Sequence, residues 1–236
     1  MTEPGRIRVG TSGFAYQAWK GGFYPSRISG GAMLAFYAER FGAVEINATF
    51  RRRPSTAALD RWREAVPEGF RFSLKAHAGL TYRLVPEETS PMFDEFVTTV
   101  AVLGERLGVI LCQAPVKAIF DADRLERFLA VLPDGPAYAF DAPFTEAEVD
   151  GLLAAHDVAR CLNDVNADAS DYVVTGRVAY FRFRRESYSE AELRARAEAL
   201  RSLATRGCDV YAFFRHEDRP DGADAALAFQ DLVGAV

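Results

Sequence analysis

The feature that most constrains this chain is an alternation. Strand-like and helix-like segments follow one another from one end to the other. The strand-like runs are Arg6–Gly10, Ala43–Asn47, Phe70–Ala76, Val109–Gln113, Ala137–Ala142, Val158–Leu162, Val178–Arg184 and Asp209–Phe214. Between them, periodic apolar spacing predicts helices near Gly31–Phe41 and over Ser55–Ala65, Pro91–Leu107, Asp121–Leu132, Thr145–Ala155, Ser189–Thr205 and Ala223–Val233. Ser55 and Asp121 are suited to cap their helices, and Ser189 with Glu192 fits a capping box. Asn163–Gly176 reads as irregular or as a very short helix, so the sixth helix is short or missing. Repeated βα units demand a parallel sheet. Eight of them within 236 residues predict an α/β fold, a closed parallel eight-stranded (β/α)8 TIM barrel, in one domain spanning 1–236. An open doubly wound sheet is the competing architecture. No Gly-x-Gly-x-x-Gly follows the first strand, so no nucleotide cofactor is expected.

Strand parity supports the barrel, because successive side chains point to opposite faces. Phe70, Phe72 and Leu74 share one face of the third strand and Arg71, Ser73 and Lys75 the other. Phe181 and Phe183 oppose Tyr180, Arg182 and Arg184, and Val44 and Ile46 oppose Glu45 and Asn47. The apolar faces should meet the helices. The polar faces should line a packed interior, where charges must pair or bind something.

The order Gly10-Thr11-Ser12-Gly13-Phe14, Tyr16, Trp19, Phe23-Tyr24-Pro25 resembles the opening signature of the YecE-like family, also called domain of unknown function 72. Val44-Glu45-Ile46-Asn47-Ala48-Thr49-Phe50, with Arg52 and Pro54 behind it, resembles that family's second motif. Trp62, Pro67, Phe70-x-Phe72, Lys75-Ala76, Gln113-x-Pro115, Tyr180-x-Arg182 and Asp209-Val210-Tyr211-x-x-Phe214 continue the pattern in order. The resemblance covers essentially the whole chain and implies a (β/α)8 barrel. It implies no reaction, since the family's activity is not established. The chain is a divergent member: Arg51 stands where the family has Tyr, and Thr81-Tyr82 where it has Thr-His. Phe140-Asp141-Ala142-Pro143-Phe144 shortens a motif that elsewhere carries Arg, His and Trp. Phe183-Arg184-Arg185 and Arg215-His216 replace Leu-His-Gly and Asn-Asn. If the lost His and Arg residues are catalytic in the family, this chain has altered or lost that activity.

In barrel enzymes the site forms where strands end and βα loops begin. The candidates there are Thr11, Ser12, Glu45, Asn47, Lys75, His77, Gln113, Asp141, Asp164, Arg182, Arg184, Arg215 and His216. With Arg51, Arg52, Arg53 and Arg185, eight cations fall on one rim of a chain whose net charge is −5. A focused positive cleft concentrates anions. The first expectation is therefore an enzyme, of hydrolase or isomerase type, acting on a small phosphate-bearing substrate. Arg182, Arg184 and Arg215 would hold the anion, Asn47 and Gln113 would orient the substrate, and Thr11, Ser12 and Arg52 would contact it. Glu45 or Asp141 would serve as acid–base, although Glu45 could equally neutralise Arg71 or Lys75. Lys75 is either a nucleophile or base made neutral by burial, or a charged holder of a carboxylate or phosphate. A divalent metal on three of His77, Asp141, Asp164, His216 and Glu45 is a weaker alternative, with no motif fixing the ligands.

Two further readings compete. Tyr16 and Trp19, in the long loop Phe14–Gly30, could stack bases in a non-catalytic nucleic-acid-binding protein. Alternatively, every rim arginine is paired within the chain, and the protein serves only to bind other proteins. No run is long enough to span a membrane. Residues 1–5 lack the apolar stretch of a signal peptide, and Cys112, Cys161 and Cys208 lie apart in short apolar runs, so the expected setting is a reducing cytoplasm. Nothing in the sequence fixes an oligomeric state.

Overall fold

The computed structural model describes residues 3–82, 86–115, 121–143, 147–165, 173–215 and 220–234. Eight parallel strands close into a barrel in simple sequence order: β1 (Ile7–Ser12), β2 (Ala43–Ile46), β3 (Arg71–Lys75), β4 (Leu107–Gln113), β5 (Ala137–Asp141), β6 (Val158–Asn163), β7 (Val178–Phe183) and β8 (Asp209–Phe214). Closure is made by β1 against β8, with Gly10 opposite Phe213 and Thr11 opposite Phe214. The helices are α1 (Met33–Ala38), α2 (Thr56–Glu64), α3 (Ala78–Thr81), α4 (Pro86–Val100), α5 (Ala122–Leu129), α6 (Ala147–Ala155), α7 (Glu190–Thr205) and α8 (Asp221–Val233). Among the described residues, no helix is long and apolar enough to cross a membrane.

Caps behave as their chemistry predicts. The Ser55 and Asp121 side chains accept from the backbone N–H of Ala58 and Arg124. Ser189 and Glu192 form a reciprocal capping box at the start of α7. Ser189→Ala is expected to cost about 1 kcal/mol, visible as a lower urea midpoint with an unchanged slope.

Two expectations are corrected. The helix predicted over Pro91–Leu107 begins five residues earlier, at Pro86, contains Pro91, and stops at Val100. A 3-10 segment, Ala101–Arg106, follows it. Within that segment Gly104 adopts φ 56°, ψ −133° and breaks the helical path, so that the chain can turn into β4. The short α3 between β3 and α4 was not anticipated either. Of the segment between β6 and β7, residues 166–172 lie outside those described.

Strand parity decides where each side chain goes. Val44, Ile46, Phe72, Leu74, Phe181 and Phe183 join the layer between barrel and helices. A second cluster fills the interior, including Leu111, Cys161, Tyr180, Tyr211 and Phe213. Below this interior belt, Arg8 pairs with Asp209 at 3.1 Å and lies over the Tyr211 ring. Above it are Glu45, Lys75, Asp141 and Arg182. The interior is thus an apolar plug between two charged ends.

The first βα loop is held by aromatic packing. Trp19 is fully buried, with its ring 4.9 Å from Tyr16, 5.5 Å from Phe23 and 5.8 Å from Tyr24. Tyr37 clasps β1 to β2: its hydroxyl accepts from the Thr11 N–H at 2.8 Å and donates to the Ala43 carbonyl at 3.1 Å. A Cβ on Gly10 would lie 1.9 Å from that carbonyl oxygen, so only glycine fits there.

Candidate functional site

At the carboxyl end of the barrel, inward residues of β1, β2 and β7 and of the loops that follow β2 and β7 converge on one carboxylate. Glu45 is fully buried. Its Oε1 accepts from Ser12 Oγ at 2.6 Å, Arg182 Nη2 at 3.0 Å, Arg184 Nη2 at 3.1 Å and Asn47 Nδ2 at 3.3 Å. Its Oε2 accepts from the Tyr180 hydroxyl at 2.8 Å. Burial alone would raise the Glu45 pKa. Arg182, Arg184 and the hydrogen bonds from Ser12 and Tyr180 outweigh it and hold the carboxyl well below the usual range. Burial and the neighbouring Glu45 push the Tyr180 phenol up, so it remains a donor. Glu45 is therefore a locked anion with little capacity to take a proton near neutral pH.

Arg182 links this hub to a second carboxylate. Its Nη1 donates to Asp141 Oδ2 at 2.7 Å, and Gln113 Nε2 donates to the same oxygen at 2.6 Å. Both side-chain bonds to Asp141 fall on Oδ2, leaving Oδ1 without a hydrogen bond among the described residues. Asp141 retains an open acceptor at the mouth.

Lys75 ends β3 beside these groups but pairs with neither carboxylate. Its Nζ lies 4.0 Å from the centre of the Phe50 ring, with no hydrogen bond or ion pair among the described residues. Phe50 in turn meets the half-exposed Tyr82 ring edge-on at 5.3 Å. Desolvation, and then the charge of Arg182, lower the Lys75 pKa; Glu45 and Asp141 oppose the shift and Arg184 adds to it. Among the described residues, further polar atoms here are buried without a hydrogen-bond partner, namely Asn47 Oδ1, Ser73 Oγ and Arg182 Nε.

The structure thus brings together Ser12, Glu45, Asn47, Lys75, Gln113, Asp141, Arg182 and Arg184. Other expected site residues are placed differently. Thr11 Oγ1 donates to the Gly13 carbonyl at 2.7 Å, inside the β1–β2 clasp. The Tyr16 hydroxyl donates to the Ser12 carbonyl at 2.6 Å, and Trp19 is buried in the loop-one plug. Arg51, Arg52 and Arg215 are exposed, and neither Arg51 nor Arg52 has an ion pair among the described residues. Among the described residues, at least four of the eight rim cations are paired within the chain. Arg182 and Arg184 are held as above, Arg185 pairs with Glu192 at 2.9 Å and Asp164 at 3.8 Å, and Arg53 pairs with Glu95. Glu45 meets Arg182 and Arg184 rather than Arg71 or Lys75, because closure aims β7 across the barrel at β2.

Among the described residues, no cluster of three or more His, Cys, Asp or Glu side chains could hold a metal. His77 Nδ1 accepts from the Gly79 N–H at 3.1 Å, Asp164 is engaged by the Arg184 N–H and Tyr188, and His216 lies outside the described residues. The residues missed by sequence reasoning are Tyr180, Ser73 and Phe50. The signal for the first two was already present, since they share a face with Arg182 and Lys75.

Two cavities, of about 610 and 680 Å3, lie at the opposite end, around Arg6, Arg8 and Arg40 and around Gly108, Arg177 and Asp209. The mouth is the better candidate because charge surplus and unpartnered polar atoms meet there.

A family model described as "Protein of unknown function DUF72" matches residues 8–236. The chain belongs to this family. The YecE protein of Escherichia coli K12, a curated relative, is 32% identical over 82 residues; the match spans 35% of this chain and 30% of YecE. A DUF72 protein from Thermotoga maritima superposes with a TM-score of 0.83 at 24% identity, covering 97% of this chain and 99% of that one. One from Enterococcus faecalis V583 gives a TM-score of 0.77 at 18% identity, over 98% and 99%. Both likenesses concern the fold, which is the (β/α)8 barrel expected of DUF72.

Proposed function

We propose that this DUF72 chain is an enzyme for a small anionic substrate, carrying phosphate or carboxylate, bound at the carboxyl-end mouth of the barrel. The observation that carries the reading is a charge imbalance. Three cations, Lys75, Arg182 and Arg184, surround two carboxylates, Glu45 and Asp141. The arginines satisfy both carboxylates, and Lys75 is left without an ion pair among the described residues. A partly buried, unpaired cation is costly, and an incoming anion would complete the set. In this reading Glu45 is a positioning residue that aims Arg182 and Arg184. Asp141, with its open Oδ1, is the acid–base group. Asn47 and Gln113 orient the substrate. The three free cysteines suit a reducing cytoplasm.

The test is thermal stabilisation by inorganic phosphate and by dihydroxyacetone phosphate. A ligand at about 100 times its Kd stabilises by about 2.7 kcal/mol. Lys75→Met should weaken phosphate binding by about tenfold to a hundredfold, the worth of one charge-assisted hydrogen bond. Affinity should also fall as pH rises through the lowered Lys75 pKa, because the neutral amine no longer attracts the anion. Equal stabilisation of wild type and Lys75→Met would remove Lys75 from the site.

A second reading rests on Arg51 and Arg52, exposed and without ion pairs among the described residues. A nucleic-acid strand contacting them and the rim would bind with an affinity that falls steeply with salt. Stabilisation by a short oligonucleotide but not by phosphate would favour it.

A further inference from the structure

The mouth contains an amine in the setting that makes lysine a nucleophile. Lysine is ordinarily protonated and inert, and becomes reactive when desolvated or placed beside another cation. Lys75 has both conditions. The residue is partly buried, its Nζ rests on the Phe50 ring, and the guanidinium groups of Arg182 and Arg184 are neighbouring charges. Among the described residues it lacks the ion pair that would hold its proton in place. A lysine serving only to balance charge would be expected to contact Glu45 or Asp141; here the arginines have taken both.

From this geometry we infer that Lys75 forms an imine with the carbonyl group of a small phosphate- or carboxylate-bearing aldehyde or ketone. The inference rests on the anionic-substrate reading and specifies its substrate class. The Nζ lone pair attacks the carbonyl carbon to give a carbinolamine. The two Nζ protons then leave with the carbonyl oxygen as water, and C=N replaces C=O. No oxidant or reductant is required. Asp141 Oδ1, open at the same mouth, can accept and return the proton moved in dehydration. Protonation of the imine restores a positive charge beside Glu45 and Asp141. Arg51 and Arg52, which follow Phe50 directly in the chain, stand on the rim for the anionic end of the substrate.

The lowered Lys75 pKa, caused by desolvation and by Arg182 and Arg184 against the opposing Glu45 and Asp141, acts in the same direction. It raises the neutral fraction of the amine near neutral pH.

The composition makes the test clean, because the chain has only three lysines, Lys20, Lys75 and Lys117. The full chain is incubated with pyridoxal 5′-phosphate, used simply as a phosphate-bearing aldehyde, and in parallel with glyoxylate. Borohydride then reduces any imine to a stable secondary amine, and peptide mass mapping locates it. The expected result is labelling of Lys75 on the order of tenfold above Lys20, rising with pH and suppressed by inorganic phosphate. Lys75→Arg keeps the charge but removes the nucleophile. It should lose that adduct while Lys20 is labelled as in the wild type. Labelling spread evenly over the lysines, or absent from Lys75 with both probes, overturns the imine. If wild type is still stabilised by phosphate in that case, the anion site stands and only the imine falls. If stabilisation is also absent, both readings fall.

Discussion

Glu45→Gln is expected to destabilise the protein by about 3–5 kcal/mol at neutral pH, because it removes the carboxylate paired with Arg184 and leaves the largely buried Arg182 with Asp141 as its counter-charge. In a chain of this size that is a fall in Tm of about 6–20 °C. The cause is geometric. Glu45 is fully buried and receives five side-chain donors, two of them arginines whose side chains are 9% and 12% exposed. The amide keeps the shape and two acceptor sites but not the charge. The effect should depend on pH with a definite sign. The folded carboxyl has a pKa below its unfolded value, so its contribution is fully present above the unfolded pKa of about 4.3. It is lost as pH falls through the lowered folded pKa. The stability gap between wild type and Glu45→Gln should therefore be flat above about pH 5 and shrink by about 1.4 kcal/mol for each unit below about 4.3. Denaturant unfolding at several pH values measures this directly. A gap that stays constant on acidification would mean the hub is held by shape rather than charge.

Trp19→Ala should be comparably severe, at about 3–5 kcal/mol, the usual range for deleting a buried aromatic. The indole is fully buried and packs against Tyr16, Phe23 and Tyr24. Its loss should also loosen the site. The Tyr16 ring packs on Trp19, the Tyr16 hydroxyl holds the Ser12 carbonyl, and Ser12 Oγ holds Glu45. Trp19→Phe should recover part of the loss. The result to compare is oligonucleotide binding at a temperature where the variant is still folded. If the indole stacked on bases, Trp19→Ala would lose about 1–3 kcal/mol of binding; the plug geometry predicts no such loss. Specific loss of binding without loss of stability would reverse that assignment.

These expectations also show how far linear sequence carries the argument. Alternating βα segments were sufficient for the barrel, because parallel strands joined by helices have few ways to bury both faces of a sheet. Period-two parity was sufficient to separate Phe181 and Phe183, which meet the helices, from Tyr180, Arg182 and Arg184, which turn inward. The placement of Glu45, Asp141 and Lys75 near the carboxyl-end mouth was legible for the same reason. Helix boundaries were less so: Gly104 ended the fourth helical stretch through a backbone conformation that an apolar pattern does not report.

Only the closed barrel decided which charge meets which. Glu45 bonds to Arg182 and Arg184, 137 and 139 positions away, although Lys75 belongs to the adjacent strand and was an equal candidate from the sequence. Inward side chains from every strand converge on one small volume, so sequence separation has no bearing on their contacts. Pairing there depends on strand register, side-chain reach and the donors each carboxylate can accept. Ser12, Asn47 and Tyr180 complete the shell of Glu45, and Gln113 shares Asp141 with Arg182. Lys75 emerges as a cation without an ion pair among the described residues only after those bonds are assigned, and that leftover charge, invisible in composition or spacing, is what gives the mouth of the barrel its proposed chemistry.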